Sequence, residues 1–256
     1  EILYGPDNYL WVTEAKSYKV YRINPATGEK LTVLDLAPSS KSFSTPAHQA
    51  FYARFSYHFS LWPQGGMAGL ALHPGFTGSS GGQNFVYLSY VHSYNGGSSP
   101  TGNFFTNRLI RLTYNTSTGL LESPETICDT LPGSNDHNSQ RIIIAKEGGV
   151  DYLFYASGDV GAGQFGNRTR PMKSQNYHSY EGKILRFNLA PTGSGTGLDP
   201  WIPNDNPYSN VPPVTGKSAV WVTGIRNNQG FAYNSDLNIL YGSSHGPYSD
   251  DEINII

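Results

Sequence analysis

With 256 residues, a formal net charge of −2 and acids and bases interspersed along the chain, there is no basic stripe for nucleic acid and no block of like charge. The 29 Gly, 17 Pro and 18 Tyr, against only 14% charged residues, are the usage of strands and turns rather than helices. No apolar run approaches the roughly 20 residues a membrane helix needs, and Glu1 opens into strand-like sequence without a signal peptide's charged and apolar regions, so the chain reads as processed and soluble.

The chain then runs through four similar units. The first holds ILYGPD, NYLWVTE (8–14) and KVYRINPATG (19–28); the second holds GLALHPGF, NFVYLSYV (84–91) and RLIRLTYNTSTG (108–119). The third holds RIIIAKEGG, DYLFYASGD (151–159) and KILRFNLAPTG (183–193); the fourth holds GFAYNSD, NILYGSSHG (238–246) and DDEINII (250–256). Each unit is a short strand, a hairpin-type turn, an apolar strand, a variable loop and a last strand, which carries an Arg in the first three units. The period-two alternation of these last strands predicts one buried face each. Arg22, Arg111 and Arg186 lie 89 and 75 residues apart, longer than a plain propeller repeat of about 40 to 50 residues, so the loops must carry insertions. The expectation is an all-β propeller, a single domain over 1–256 that stops inside its fourth unit, with the ring continuing beyond Ile256.

The motifs fall in the loops after these strands. Asp136 and His137 sit in the polar loop SNDHNSQR (134–141); the imidazole reads either as a solvated surface residue or as a general base. Asp159, ending the next unit's strand, could fix its tautomer. In GIRNNQG (224–230), Arg226 suits a carboxylate or a developing oxyanion, or simply closes a turn. HGPYSDDE (245–252) offers carbonyl and carboxylate oxygens that favour Ca²⁺ over zinc; its alternative is a solvated acidic turn. GAGQFG (161–166) matches a dinucleotide fingerprint, but Pro171 and the absence of helical periodicity after it reject that reading. Cys128, the single cysteine, excludes an internal disulfide and reads as a small buried residue. Asn115 and Asn167 open glycosylation sequons, which matter only in a eukaryotic secretory pathway.

GPDNYLWVTE, QGGMAGLALHPGF, LTYNTSTGLLESPE, NDHNSQR, SGDVGAGQF, NYHSYEGKILRFNL, GIRNNQGFAY and HGPYSDDEINII follow in order. Together they resemble the soluble quinoprotein glucose dehydrogenases of the glucose/sorbosone dehydrogenase family. The resemblance implies a six-bladed propeller that binds pyrroloquinoline quinone (PQQ) with Ca²⁺ and oxidises the C1 hydroxyl of an aldose to the lactone. It implies His137 as the base, oriented by Asp159, and Arg226 polarising the quinone. Gln64, Asp136, Gln164 and Phe165 would line the sugar site; Asn227, His245 and Asp251 would hold the cofactor. Gly246 and Pro247 would ligate its Ca²⁺, and Glu252 a second one. It further implies a sugar substrate, an external electron acceptor, a homodimer, and a periplasmic or secreted location. His245 stands where the glucose enzymes carry Gln, and the aromatic stretch 46–66 is longer than theirs. The competing expectations are a Ca²⁺-dependent propeller lactonase or esterase, and a non-catalytic binding propeller of the Hedgehog-interacting type.

Overall fold

The computed structural model describes residues 1–36, 64–96, 104–212 and 215–256; most of the aromatic stretch 46–66 lies outside them. Among the described residues the strands form four antiparallel sheets, completed one after another along the chain. The first holds β1 (Ile2–Tyr4), β2 (Leu10–Glu14), β3 (Lys19–Ile23) and β4 (Lys30–Asp35). The second holds β5 (Met67–Leu72), β6 (Phe85–Gly96), β7 (Phe104–Asn115) and β8 (Leu120–Gly133). The third holds β9 (Ser139–Glu147), β10 (Val150–Ser157), β11 (Lys183–Asn188) and β12 (Val220–Thr223). The fourth holds β13 (Asn228–Asn234), β14 (Ile239–Ser244) and β15 (Glu252–Ile255). In every sheet, neighbours in sequence are neighbours in space, which is the simplest connection for short-turn strands.

The sheets pack face to face in chain order, and the sequence alternation explains how. Val86 and Leu88 of β6 bury with Trp11, Val20 and Leu34 of the first sheet, while Tyr87 between them buries with Leu153, Tyr155 and Leu185 of the third. In β10 the same division sends Leu153 and Tyr155 back to the second sheet and Phe154 and Ala156 forward to Leu240 and Phe231 of the fourth. Successive side chains of a strand point to opposite faces, so a strand inside a stack needs apolar residues on both. Two expectations are corrected here. The Arg-bearing strands β7 and β11 are buried on both faces, because the guanidinium itself is packed: Arg186 is 1% exposed and lies over the Tyr152 and Trp221 rings. Three of the units also carry a fourth strand, β4, β8 or β12, that the repeat did not reveal.

This is a propeller-like arrangement. The first strand of each sheet, β1, β5, β9 and β13, approaches its counterparts, and the four line an open groove of about 550 Å³ between Leu3, Leu70, Ile142 and Phe231. Among the described residues no helix is long and apolar enough to cross a membrane. GAGQFG leads into a three-residue 3-10 turn, Phe165–Asn167.

Candidate functional site

The loops at one end of the groove bring most of the expected residues together. His137 precedes β9 on a loop that Ser134 ties down: its Oγ, with one proton to give, lies 2.7 Å from the Asp136 carbonyl and 2.8 Å from that of Val160, and it accepts the Asp136 N–H at 3.0 Å. The His137 N–H donates to Gln64 Oε1 and to Asp136 Oδ1, each at 3.0 Å. His137 has φ 47°, and Ser139 and Gln140 are left-handed as well, a conformation of about 1–2 kcal/mol cost per residue that persists where surroundings impose it. The surroundings are close: a Cβ on Gly158 would stand 1.8 Å from the His137 carbonyl oxygen. The imidazole is buried, and its Nδ1 lies 2.7 Å from Asp159 Oδ1. An ionised carboxylate only accepts, so Nδ1 carries a proton, while Nε2 lies 3.7 Å from Asp136 Oδ1. Asp159 Oδ1 also accepts the Gly161 N–H at 2.9 Å, which fixes the carboxylate in turn.

The second half of the site comes from the ends of β12 and β14. The Asp159 N–H donates to the Arg226 carbonyl at 2.8 Å, which joins the two halves directly. Ser139 Oγ donates to Asn227 Oδ1 at 3.1 Å, a second tie. Arg226 Nη1 donates to the His245 carbonyl (2.9 Å) and faces His245 Nδ1 (3.1 Å). A guanidinium cannot accept, so His245 Nδ1 does, and its proton sits on Nε2. The His245 N–H donates to the Asn227 carbonyl at 2.9 Å, holding the Gly246–Pro247 turn beside them. In that turn the Gly246 N–H donates to Asp251 Oδ1 (3.0 Å) and the Asp250 N–H to the Pro247 carbonyl (3.2 Å). A Cβ on Gly246 would stand 1.7 Å from the Asp250 carbonyl oxygen, so the turn closes only on glycine.

Three expected residues stand further out. Phe165 is 79% exposed on the 161–167 loop with Gln164, and that loop is joined to the His137 loop by Asn167 Nδ2 donating to Asn135 Oδ1 at 3.0 Å. Glu252 opens β15 opposite Ser244, where its carboxylate accepts from Asn254 at 3.3 Å.

Beside the two halves lies a cleft of about 390 Å³ lined by the expected Gln64, Asn227 and His245, and also by Lys16, Asn138, Ser139, Gln140 and Gln229, which no motif had singled out; His137, Asp159 and Arg226 do not line it. Burial pulls Lys16 down to about 8, and its Nζ donates to the Gly65 carbonyl at 3.1 Å. The sequence carried no signal for Lys16, which follows β2 in an ordinary turn; Asn138 and Gln140 stood inside SNDHNSQR but lacked a motif role. These amides, hydroxyl and ammonium make the lining polar, with donors that suit oxygen acceptors. Among the described residues no three His, Cys, Asp or Glu side chains converge.

The family described as glucose/sorbosone dehydrogenase matches residues 58–256. Over its whole length the chain is 32% identical to quinoprotein glucose dehydrogenase B of Acinetobacter calcoaceticus, of which it covers 47%. It is 34% identical over 48% of its length to aldose sugar dehydrogenase YliI of Escherichia coli K12, covering 27% of that protein. The chain thus spans about half or less of the curated relatives it matches. Among solved structures, the soluble aldose sugar dehydrogenase of Escherichia coli in its apo form superposes with a TM-score of 0.64 at 22% identity, over 99% of this chain and 59% of that one. A glucose dehydrogenase gives 0.67 at 21% identity, over 99% and 59%. At these identities the structural likeness speaks for the fold.

Proposed function

The chain belongs to the glucose/sorbosone dehydrogenase family, and from that premise we propose that the protein is a PQQ- and Ca²⁺-dependent dehydrogenase that oxidises the C1 hydroxyl of an aldose to the lactone. The observation that carries this reading is the tie between its two halves: Asp159 holds the imidazole of His137 through its side chain and the loop of Arg226 through its backbone N–H. When bound, the quinone supplies the two-electron acceptor for the alcohol's hydride.

The chain's own residues do the rest. His137 Nε2 takes the hydroxyl proton, while Asp159 stabilises the imidazolium that forms and keeps it from rotating. Asp136 and Gln64, both bonded to the His137 N–H, are assigned to the sugar hydroxyls. The Arg226 guanidinium, held by His245, would offer fixed positive charge to a bound acceptor as it takes up negative charge. Asn227, His245 and Asp251 would hold the cofactor, the Gly246 and Pro247 carbonyls would hold its Ca²⁺, which would serve as a Lewis acid, and Gln164 and Phe165 would rim the sugar site. Glu252 is assigned to a second, structural Ca²⁺. In this reading the four sheets belong to a six-bladed ring, and the protein works in the periplasm or outside the cell, as a homodimer with an external electron acceptor.

Reconstitution tests it. Full-length protein given PQQ and Ca²⁺ is expected to oxidise aldoses with a dye as acceptor, and to do so with neither component missing. Lactone or ester hydrolysis that proceeds without any quinone would replace this reading with the hydrolase.

A further inference from the structure

The strands that deliver the two halves of the site flank a single residue. β10 ends at Ser157 and runs on to Asp159; β12 ends at Thr223 and runs on to Arg226. Between them β11 begins at Lys183, whose backbone pairs with Ser157 on one side and Thr223 on the other. Lys183 is 0% exposed, a placement an ammonium tolerates only when its protons find acceptors. All three do: Nζ donates to the carbonyls of Lys173 (2.8 Å), Ser174 (2.9 Å) and Glu181 (2.6 Å). The Glu181 carboxylate itself pairs with Arg170 Nη2 at 3.2 Å and Lys173 Nζ at 3.5 Å, so the Lys183 ammonium is held by carbonyls.

The carbonyls Lys183 gathers belong to the loop 173–182, and that loop is what both halves lean on. The Ser174 carbonyl accepts the Gly224 N–H at 2.7 Å, and the Gly182 carbonyl accepts the Ile225 N–H at 3.1 Å, one residue before Arg226. In the other direction the Gly182 N–H donates to the Gly158 carbonyl at 2.8 Å, one residue before Asp159. No slack remains at the crossing, where a Cβ on Gly182 would stand 2.7 Å from the Ile225 carbonyl oxygen.

We propose that Lys183 is a positioning residue: by drawing three carbonyls of the 173–182 loop onto one ammonium it sets the separation between the His137–Asp159 pair and the Arg226 guanidinium. It touches neither substrate nor cofactor, and the proposal rests on the roles assigned to those residues above. Without the ammonium the three carbonyls lose their common donor and repel one another, and the loop relaxes away from Gly224 and Ile225.

Lys183→Met keeps most of the volume and removes the donors. In full-length protein without cofactor, the Gly182, Gly224 and Ile225 amides are expected to exchange hydrogen about tenfold faster or more, with β9 and the centre of β10 unchanged. In the reconstituted enzyme kcat is expected to fall about 10²-fold while the aldose KM stays within about twofold, the mark of a misplaced rather than an empty site. Unchanged exchange at those three amides overturns the proposal, and so does faster exchange with kcat intact. Should Lys183→Met fail to fold, Lys183→Gln, which keeps two donor hydrogens, carries the same two readouts. If the wild-type protein oxidises no aldose at all, the functional reading fails by itself and the exchange result alone decides the positioning role.

Discussion

At the scale of single residues the site is held by close approaches that leave no room for substitution. Gly158 lets the His137 carbonyl pass at a distance no Cβ could share. Gly158→Ala is expected to destabilise the fold by about 1–3 kcal/mol through backbone displacement and to lower kcat, read by denaturant unfolding alongside turnover. Asp159→Asn leaves the packing nearly unchanged but replaces a pure acceptor with an amide that can also donate, so the His137 tautomer is no longer fixed. A kcat loss of about 10²-fold or more with an unchanged aldose KM is expected, and a full-rate variant would remove Asp159 from the mechanism. His137, Asp159 and Arg226 could be singled out in the sequence because each stands in a loop at a strand end, while the roles proposed for them come from the family resemblance alone. The left-handed backbone at His137, Ser139 and Gln140 was not legible. Such conformations announce themselves in sequence when they fall on glycine, and here they fall on residues that neighbouring sheets force into place.

At the scale of elements a single device recurs in three sheets. Arg22 on β3 lies 3.7 Å from the Tyr9 ring centre and bonds Tyr114 of the next sheet; Arg111 on β7 lies 4.3 Å from the Phe85 ring centre and donates to the Leu189 carbonyl. Arg186 on β11 lies 4.5 Å from the Tyr152 ring centre. The fourth sheet pairs Tyr241 with Ile255 at the equivalent place, and Ile239 takes the position of the aromatic residue, so cation and ring are replaced together. The Arg therefore acts as a clamp between strands and between sheets. Arg111→Met is expected to cost about 2–3 kcal/mol, from a charged hydrogen bond to a carbonyl and a cation–π contact, with kcat unchanged; urea unfolding and steady-state turnover separate the two. The spacing of these Arg residues exposed the repeat. The fourth strands stayed hidden for different reasons: β12 returns only after the long stretch 189–219, and β4 and β8 carry charged residues that blur their alternation.

At the scale of the whole molecule, packing in chain order explains why the propeller was visible before any coordinates: each sheet's central strand must be apolar on both faces, and β6 and β10 are. What the pattern could not carry is the meeting of distant loops. The cleft draws Lys16 from the first sheet, Gln64 from the start of the second, Gln140 from the third and His245 from the fourth, and no local spacing encodes that convergence. The proposed Ca²⁺ is assigned to the Gly246–Pro247 turn, where it would hold the cofactor as well. Chelation with EDTA is expected to abolish dye-linked activity and to lower the melting temperature of the cofactor-loaded protein, with both restored by Ca²⁺.

The central claim, that His137 is the base working against an acceptor held near Arg226, is tested most directly by anaerobic single-turnover kinetics. Full-length wild-type protein and His137→Ala, each loaded with PQQ and Ca²⁺, are mixed with excess aldose, and the absorbance change of the bound quinone is followed. The variant is expected to bind the quinone and to be reduced about 10²-fold more slowly or worse; equal rates in the two proteins would contradict the account.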